Sequence, residues 1–267
     1  MRRIWLLPAV AACAAAFAFT PASPAADADG WSTVKGIIKF PESKAVPARK
    51  ELDVSQDKAH CLSKGAILDE SLIVNAKNKG IKNVVVWLRP DNTDPKSKLT
   101  AAQIHPDDAK RKPATITIDQ PCCMFVKRIT VARVGDTIVA KNPAPIPHNF
   151  RWTSSNNGEF NPVIPKESDW KMEKPLVAES SPIVFNCTIH PWMSGYVRIF
   201  DHPYYAVTDE DGKYEIKNAP VGKFRMVVWQ EKQGFLGGKE GRFGTPVEIK
   251  GGTTEVKPIE FDIDTKP

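Results

Sequence analysis

The sequence predicts an all-β protein built as two β-sandwiches, a larger one followed by a smaller one. Three observations predict it. Apolar residues come in short runs, rich in Val, Ile, Thr and aromatics and often alternating with polar residues, which is the pattern of a half-buried strand. The 23 prolines among 267 residues punctuate those runs and break helical continuity. Helical periodicity is nearly missing, with one short turn read at residues 106–110.

Taken in order, the chain opens on Met1-Arg2-Arg3, an apolar Ala-rich stretch over 4–19, and the small residues Pro24-Ala25-Ala26 before Asp27. That is the layout of a secretory signal peptide over 1–26, which predicts export to a periplasmic or extracellular space. Val10-Ala11-Ala12-Cys13 also fits a lipobox loosely, which would put a lipid anchor at Cys13. The apolar run continuing through Phe17 and Phe19 argues against that. No later stretch is long and apolar enough to span a bilayer.

Strands are expected over 34–40, 84–88, 115–118 and the run 129–139. The first sandwich is drawn over 31–200, with its early part as an N-terminal β extension. Residues 152–180, polar and punctuated by Gly and Pro, read as a long loop open to partner contacts. Strands follow at 181–186 and 196–200. From 201 the pattern changes to strand, Asp211-Gly212 turn, strand over 204–216. A second turn at Pro220-Val221-Gly222 precedes strands at 223–229, 246–249 and 256–262. This makes a smaller sandwich over 201–267. Strands 35–40 and 84–88 are the alternative source of its missing members, in which case the first sandwich is inserted in a discontinuous domain.

The formal charge of +6 falls by two without Arg2 and Arg3. Basic residues are scattered and not interleaved with aromatics, which favours a solvated surface over nucleic-acid binding. Asp209-x-Asp211-Gly212 lacks the further oxygens and terminal Glu of a calcium loop and reads as a tight hairpin turn. The Gly-rich run at 237–241 has no strand-to-helix context and is not a phosphate cradle.

The chemistry concentrates in Cys187-Thr188-Ile189-His190-Pro191-Trp192-Met193, read with Pro147-His148-Asn149. One thiolate, two imidazoles and one thioether are the donors of a type 1 copper site, with two His and a Cys in plane and a weak axial Met. Strand 181–186 delivers Cys187, strand 196–200 returns, and the loop between them holds His190 and Met193. His148 must arrive from another strand. Asn149 and Thr188 are placed to bond each other and tie the two segments. A structural zinc site normally takes four Cys or His ligands, and three are visible. A Cys–His nucleophile would need an oxyanion site and an orienting group, and neither shows. No catalytic residue is assigned.

On these residues, 116–200 resembles a cupredoxin, and the short Cys-x-x-His-x-x-Met loop is similar to that of amicyanins and the plastocyanin-like blue copper proteins. The segment 129–142, a strand, Gly135-Asp136, a strand and Asn142, is often found in cupredoxins before the first His. Asp119-Gln120-Pro121-Cys122-Cys123-Met124-Phe125 resembles a secreted, methylamine-utilisation-like group, except that Val126-Lys127-Arg128 stands where that group has Pro-His. The resemblance implies a Greek-key sandwich with copper held by His148, Cys187, His190 and Met193. It implies that His190 lies nearest the surface and that Pro191 and Trp192 form an apolar electron-transfer patch. The tail, with Thr208-Asp209-Glu210-Asp211-Gly212 and Pro220-Val221-Gly222, resembles a transthyretin-like or carboxypeptidase regulatory-like sandwich.

Export permits disulfides. With Cys187 on copper, Cys61, Cys122 and Cys123 remain, so Cys61 is expected to bond one of the adjacent pair and leave the other free. The favoured reading is a one-electron carrier whose copper cycles between Cu(I) and Cu(II), serving a redox protein such as a c-type cytochrome or a dehydrogenase. A copper-trafficking protein without turnover and a structural β-protein with a vestigial site are the rivals. An oxidase would need a His-rich second cluster. His60, His105 and His202 are single, near turns, and expected at the surface.

Overall fold

The computed structural model describes residues 30–264. The expected leader and Cys13 lie outside the described residues. The described chain is all-β, with single helical turns at Lys58–Cys61 and Pro106–Ala109 and two 3₁₀ stretches.

Two sandwiches are present. In the first, one sheet runs Gly158–Phe160, Arg151–Ser154, Ile183–Asn186, Ser194–Phe200 and Ile129–Arg133 in spatial order. The other runs Ser168–Lys171, Thr137–Asn142 and Thr115–Asp119. Strict alternation builds their shared core: Ile118, Ile138, Ala140, Trp152, Phe185, Val197 and Ile199 are all fully buried while their neighbours face outward.

The second sandwich corrects the expected domain limits. Its first sheet sets Trp31–Lys39 between Lys213–Pro220 and Gly252–Glu255. Its second sheet sets Val85–Pro90 between Tyr205–Val207 and Gly222–Gln230. Both N-terminal strands therefore pair with strands beyond residue 200, in the discontinuous arrangement, and not with the first sandwich. Trp31–Lys39 alternates half-buried and buried along its nine residues, so Val34 and Ile38 fill the same core as Tyr214, Ile216 and Phe261.

The Asp209–Gly212 turn is also not a hairpin. It joins Tyr205–Val207 in one sheet to Lys213–Pro220 in the other, so the chain arches across the core. Asp209 Oδ1 accepts from the backbone N–H of Asp211 and of Lys213, each at 2.9 Å, which uses the carboxylate in shaping the turn. Gly212 has φ 75°, and its carbonyl accepts from Ile38 N–H at 2.9 Å. A Cβ there would fall 2.3 Å from the Ile38 carbonyl oxygen, so glycine is needed for both conformation and approach.

The expected loop over 152–180 instead carries three further short strands, Gly158–Phe160, Val163–Ile164 and Ser168–Lys171. Its aromatics explain this. Phe160 stacks on Trp152 at 5.5 Å and meets Trp170 at 4.9 Å between ring centres, which folds the segment back onto the first sandwich.

Outward-facing Val85, Trp87, Val227 and Trp229 of the second sandwich pack on Ile129 and Phe200 of the first. Beside them Arg128 donates to both carboxylate oxygens of Glu231, at 2.6 Å each, with both side chains nearly buried. Removing one partner of such a pair strands a buried charge, at a cost of roughly 3–5 kcal/mol.

The pairing makes a prediction. Ile38→Ala should destabilise the protein by roughly 2–5 kcal/mol, and amide exchange should quicken first over 213–220 and 252–260. Loosening confined to 183–200 would place the first strand in the other sandwich.

Candidate metal centre

Each candidate ligand is delivered by a device visible in the local chain. Ile183–Asn186 pairs with Ser194–Phe200, the last rung being Asn186 opposite Ser194, which leaves 187–193 as a closed loop. Within it Cys187 N–H donates to the Met193 carbonyl at 3.2 Å and Met193 N–H to the His190 carbonyl at 2.9 Å. Gly195 lets the returning strand lie against Phe185, since a Cβ there would meet the ring at 2.5 Å. His148–Asn149 is a two-residue strand paired with Val163–Ile164. The proline-rich turn before it is organised by buried Asn142. That side chain donates to the carbonyls of Ile146, Ile164 and Pro165 at 2.9–3.1 Å and accepts from Ala144 N–H at 3.1 Å.

His148, Cys187 and His190 come together, all at most 1% exposed. The two Nδ1 atoms are 2.9 Å apart, and Cys187 Sγ lies 3.9 Å from His148 Nδ1 and 3.8 Å from His190 Nδ1. Each separation is one that two metal–ligand bonds of about 2.0–2.3 Å can span. Met193 is buried in the same core. Two imidazole nitrogens facing each other at this distance cannot both be bare lone pairs, so a proton or a cation must lie between them. Without a metal, the two Nδ1 atoms share a proton. His148 Nε2 is buried with no hydrogen-bond partner among the described residues. The donors fit a soft, thiolate-selecting ion in a site with two nitrogens.

Asn149 holds the two ligand segments together. Its Oδ1 accepts from Thr188 N–H at 2.7 Å and Ile189 N–H at 3.2 Å, and lies 3.1 Å from Cys187 Sγ. Thr188 enters this tie through its backbone. Asn149 Nδ2 in turn donates to Asn161 Oδ1. Burial by itself raises the Cys187 thiol. Hydrogen bonds from His148 and His190, and from the backbone N–H of Asn149 and His190, outweigh it and pull the thiol down to about 6.

The surroundings of His190 correct the expected surface edge. His190 is fully buried. Its Nε2–H donates to Asp57 Oδ2 at 2.9 Å, which fixes the tautomer that turns Nδ1 toward Cys187 and His148. Burial works against a charge on this ring, but its hydrogen bonds to Cys187 and Asp57 carry it above the ordinary His value. Asp57 stands at φ 47°, ahead of the Lys58–Cys61 turn, and a Cys61–Cys123 disulfide clamps that turn down. Cys122, half-buried, is the free member of the pair. The paired sulfurs lie within 4.8 Å of a His190 ring nitrogen. Trp192, half-buried beside exposed Pro191, donates from Nε1 to the Cys123 carbonyl at 3.1 Å, and its ring centre is 5.2 Å from that of His190. Asp57 thus meets the Nε2 edge of His190 that was expected nearest the surface, while Pro191 stays exposed and Trp192 half-buried. Asp57 carries no motif; its one signal is standing four residues before Cys61. His202, expected at the surface, is buried as well.

No family model matches the sequence, and no curated protein matches it. Solved structures similar to part of the chain include a mutant of amicyanin in its Cu(I) form, at 25% identity over 35% of this chain and 89% of that one, with a TM-score of 0.29. An oxidised amicyanin mutant gives the same values. A purple cupredoxin from Nitrosopumilus maritimus is similar at 20% identity over 32% of this chain and 98% of that one, with a TM-score of 0.27.

Two predictions come from the geometry. Asn149→Ala should cost roughly 1–3 kcal/mol in chemical denaturation, because it strands N–H donors of the Cys187 loop; an unchanged midpoint would mean water replaces it. In metal-free Cys122→Ser protein with the disulfide intact, thiolate absorbance should appear with a midpoint near 6, below the ordinary 9.0. A midpoint at the ordinary value would mean the imidazoles do not reach the sulfur.

Proposed function

We propose that the protein is a type 1 copper protein of cupredoxin kind that carries single electrons between redox partners. The observation that carries this is the convergence of two imidazole nitrogens and one thiol in a buried pocket, beside a methionine two residues after Pro191. His148 and His190 would hold copper through Nδ1 and Cys187 through its thiolate, with the Met193 thioether as a further donor. Bound copper supplies a one-electron Cu(I)/Cu(II) couple. The chain's part is rigidity. Asn149 locks the two ligand segments, Asn142 locks the turn before His148, and the disulfide-held Asp57 fixes the His190 ring, so the donors need little rearrangement between oxidation states. The finer likeness, an amicyanin-type loop and a carboxypeptidase regulatory-like second sandwich, belongs to this reading. So do export to a periplasmic or extracellular space and a partner such as a c-type cytochrome or a dehydrogenase. The expected His190 exit is redrawn: Trp192, in ring contact with His190 and half-exposed, continues the path to the surface. Burial of all the donors also opposes the ready ligand exchange that a copper-handing protein needs.

Cu(II) titration with visible spectroscopy tests the reading. One Cu(II) per chain should give an intense thiolate-to-copper band that bleaches reversibly with reductant and is missing in Cys187→Ala. Copper bound without the band would overturn it. Asp57→Asn should keep copper stoichiometry and raise the midpoint potential by roughly 1 kcal/mol of one-electron free energy, the difference between a charged and a neutral hydrogen-bond partner. An unmoved potential would mean that Asp57 merely covers the site.

A further inference from the structure

Between the two sandwiches lies a cleft of about 650 Å³. It sits where the Ser194–Phe200 strand ends, six residues from the end that serves the Cys187 loop, which at about 3.3 Å per residue is roughly 20 Å away. Its volume suits a small molecule. Trp87, Phe200, Phe235 and Phe243 supply flat apolar lining, and Arg89, Lys96, Lys98, Arg198, Lys239 and Arg242 supply positive charge. Two carboxylates also line it, Glu179 and Asp201. Both are already engaged: Asp201 pairs with Lys98 at 3.2 Å, and Glu179 Oε2 accepts from Ser154 Oγ at 2.6 Å and from Asn156 and Asn157. Glu179 keeps its charge, and against six cations the two carboxylates leave the cleft with a positive excess.

Arg198 is the telling group. Its side chain is 9% exposed, and its guanidinium lies 5.3 Å from the Trp87 ring centre and 4.7 Å from that of Phe200. Nη1 donates to the Ile199 carbonyl at 3.0 Å. Nε has no hydrogen-bond partner, and no carboxylate pairs with this guanidinium among the described residues. Burial draws it down to about 10, so it stays cationic at neutral pH. Asp201 and Glu179 act on it only from a distance, and a buried guanidinium with no direct ion-pair partner is costly. Nearby His202 is neutral, held down to about 4 by burial, and its Nδ1 accepts from Tyr204 N–H at 3.1 Å, so it adds a donor and no competing anion.

We propose that this cleft is a binding site for a small organic anion, an oxyanion group on a flat apolar body, recognised by Arg198. The planar guanidinium matches a carboxylate, sulfonate or phosphate with two parallel hydrogen bonds, and the aromatic lining accepts the flat body. The site uses no residue of the metal centre, so the two readings stand or fall separately.

Titration calorimetry on the whole mature protein at fixed ionic strength tests it, with phthalate, inorganic sulfate and neutral benzamide as probes. Phthalate should bind once per chain, sulfate more weakly, and benzamide not at all. Arg198→Met should fold, since it removes an unpaired buried charge, and should weaken phthalate about tenfold or more. Arg242→Gln, on the exposed side of the cleft, should weaken it about threefold, and it decides the matter if Arg198→Met does not fold. Phthalate heats no larger than those of chloride, sulfate binding as tightly as phthalate, or affinity that neither variant moves would each overturn the proposal.

Discussion

The candidate metal centre turns on one side-chain oxygen. Asn149 Oδ1 accepts from the N–H groups of Thr188 and Ile189, and this joins a two-residue strand to a loop nearly forty residues later in the chain. The neighbouring strands already set Arg151 opposite Asn186, and this oxygen fixes the loop that continues from them. With it the two Nδ1 atoms and the sulfur are brought within 4 Å of one another before any ion arrives. Backbone donors and one amide thus do much of the positioning.

A second shell of constraint is specific to this chain. The disulfide, the Asp57 carboxylate and the Trp192 indole all act on the His190 side. The disulfide sets where Asp57 stands, Asp57 sets which ring nitrogen of His190 faces Cys187 and His148, and Trp192 ties the ligand loop to Cys123. The buried imidazole is held in orientation by a charge-assisted hydrogen bond to a carboxylate at the surface.

The donor set was legible because it is local: three of the four residues sit in one heptapeptide with strands on either side, and the fourth precedes an asparagine. The two sandwiches were legible because alternation is a short-range signal. What stayed hidden depends on long-range pairing. Trp31–Lys39 looks like any half-buried strand, and nothing in its pattern names Lys213–Pro220 as its neighbour. The same ambiguity made an arch between sheets look like a hairpin. Strands of two to four residues, such as Val163–Ile164, are too short to show a period, so 152–180 read as a loop. The burial of His190 came from a segment over a hundred residues away with no motif of its own. Cysteine counting gave a disulfide from Cys61 to one of two neighbours, and only the fold selects Cys123. Arg198 was visible as a strand residue and nothing more.

The interleaving of the second sandwich bears on the order in which the molecule can come into being. Trp31–Lys39 leaves the ribosome well before its partners, which lie at 213–220, 252–255 and 259–260. The first sandwich is fully encoded between those two dates. It can therefore close while the earlier strand is still waiting, and the loop it occupies becomes compact, which shortens the search that the last strands must make. Val85–Pro90 waits in the same way for Gly222–Gln230. Of the two described sandwiches, the one that begins earlier is thus completed later, and the other serves as the folded spacer that brings its two halves within reach.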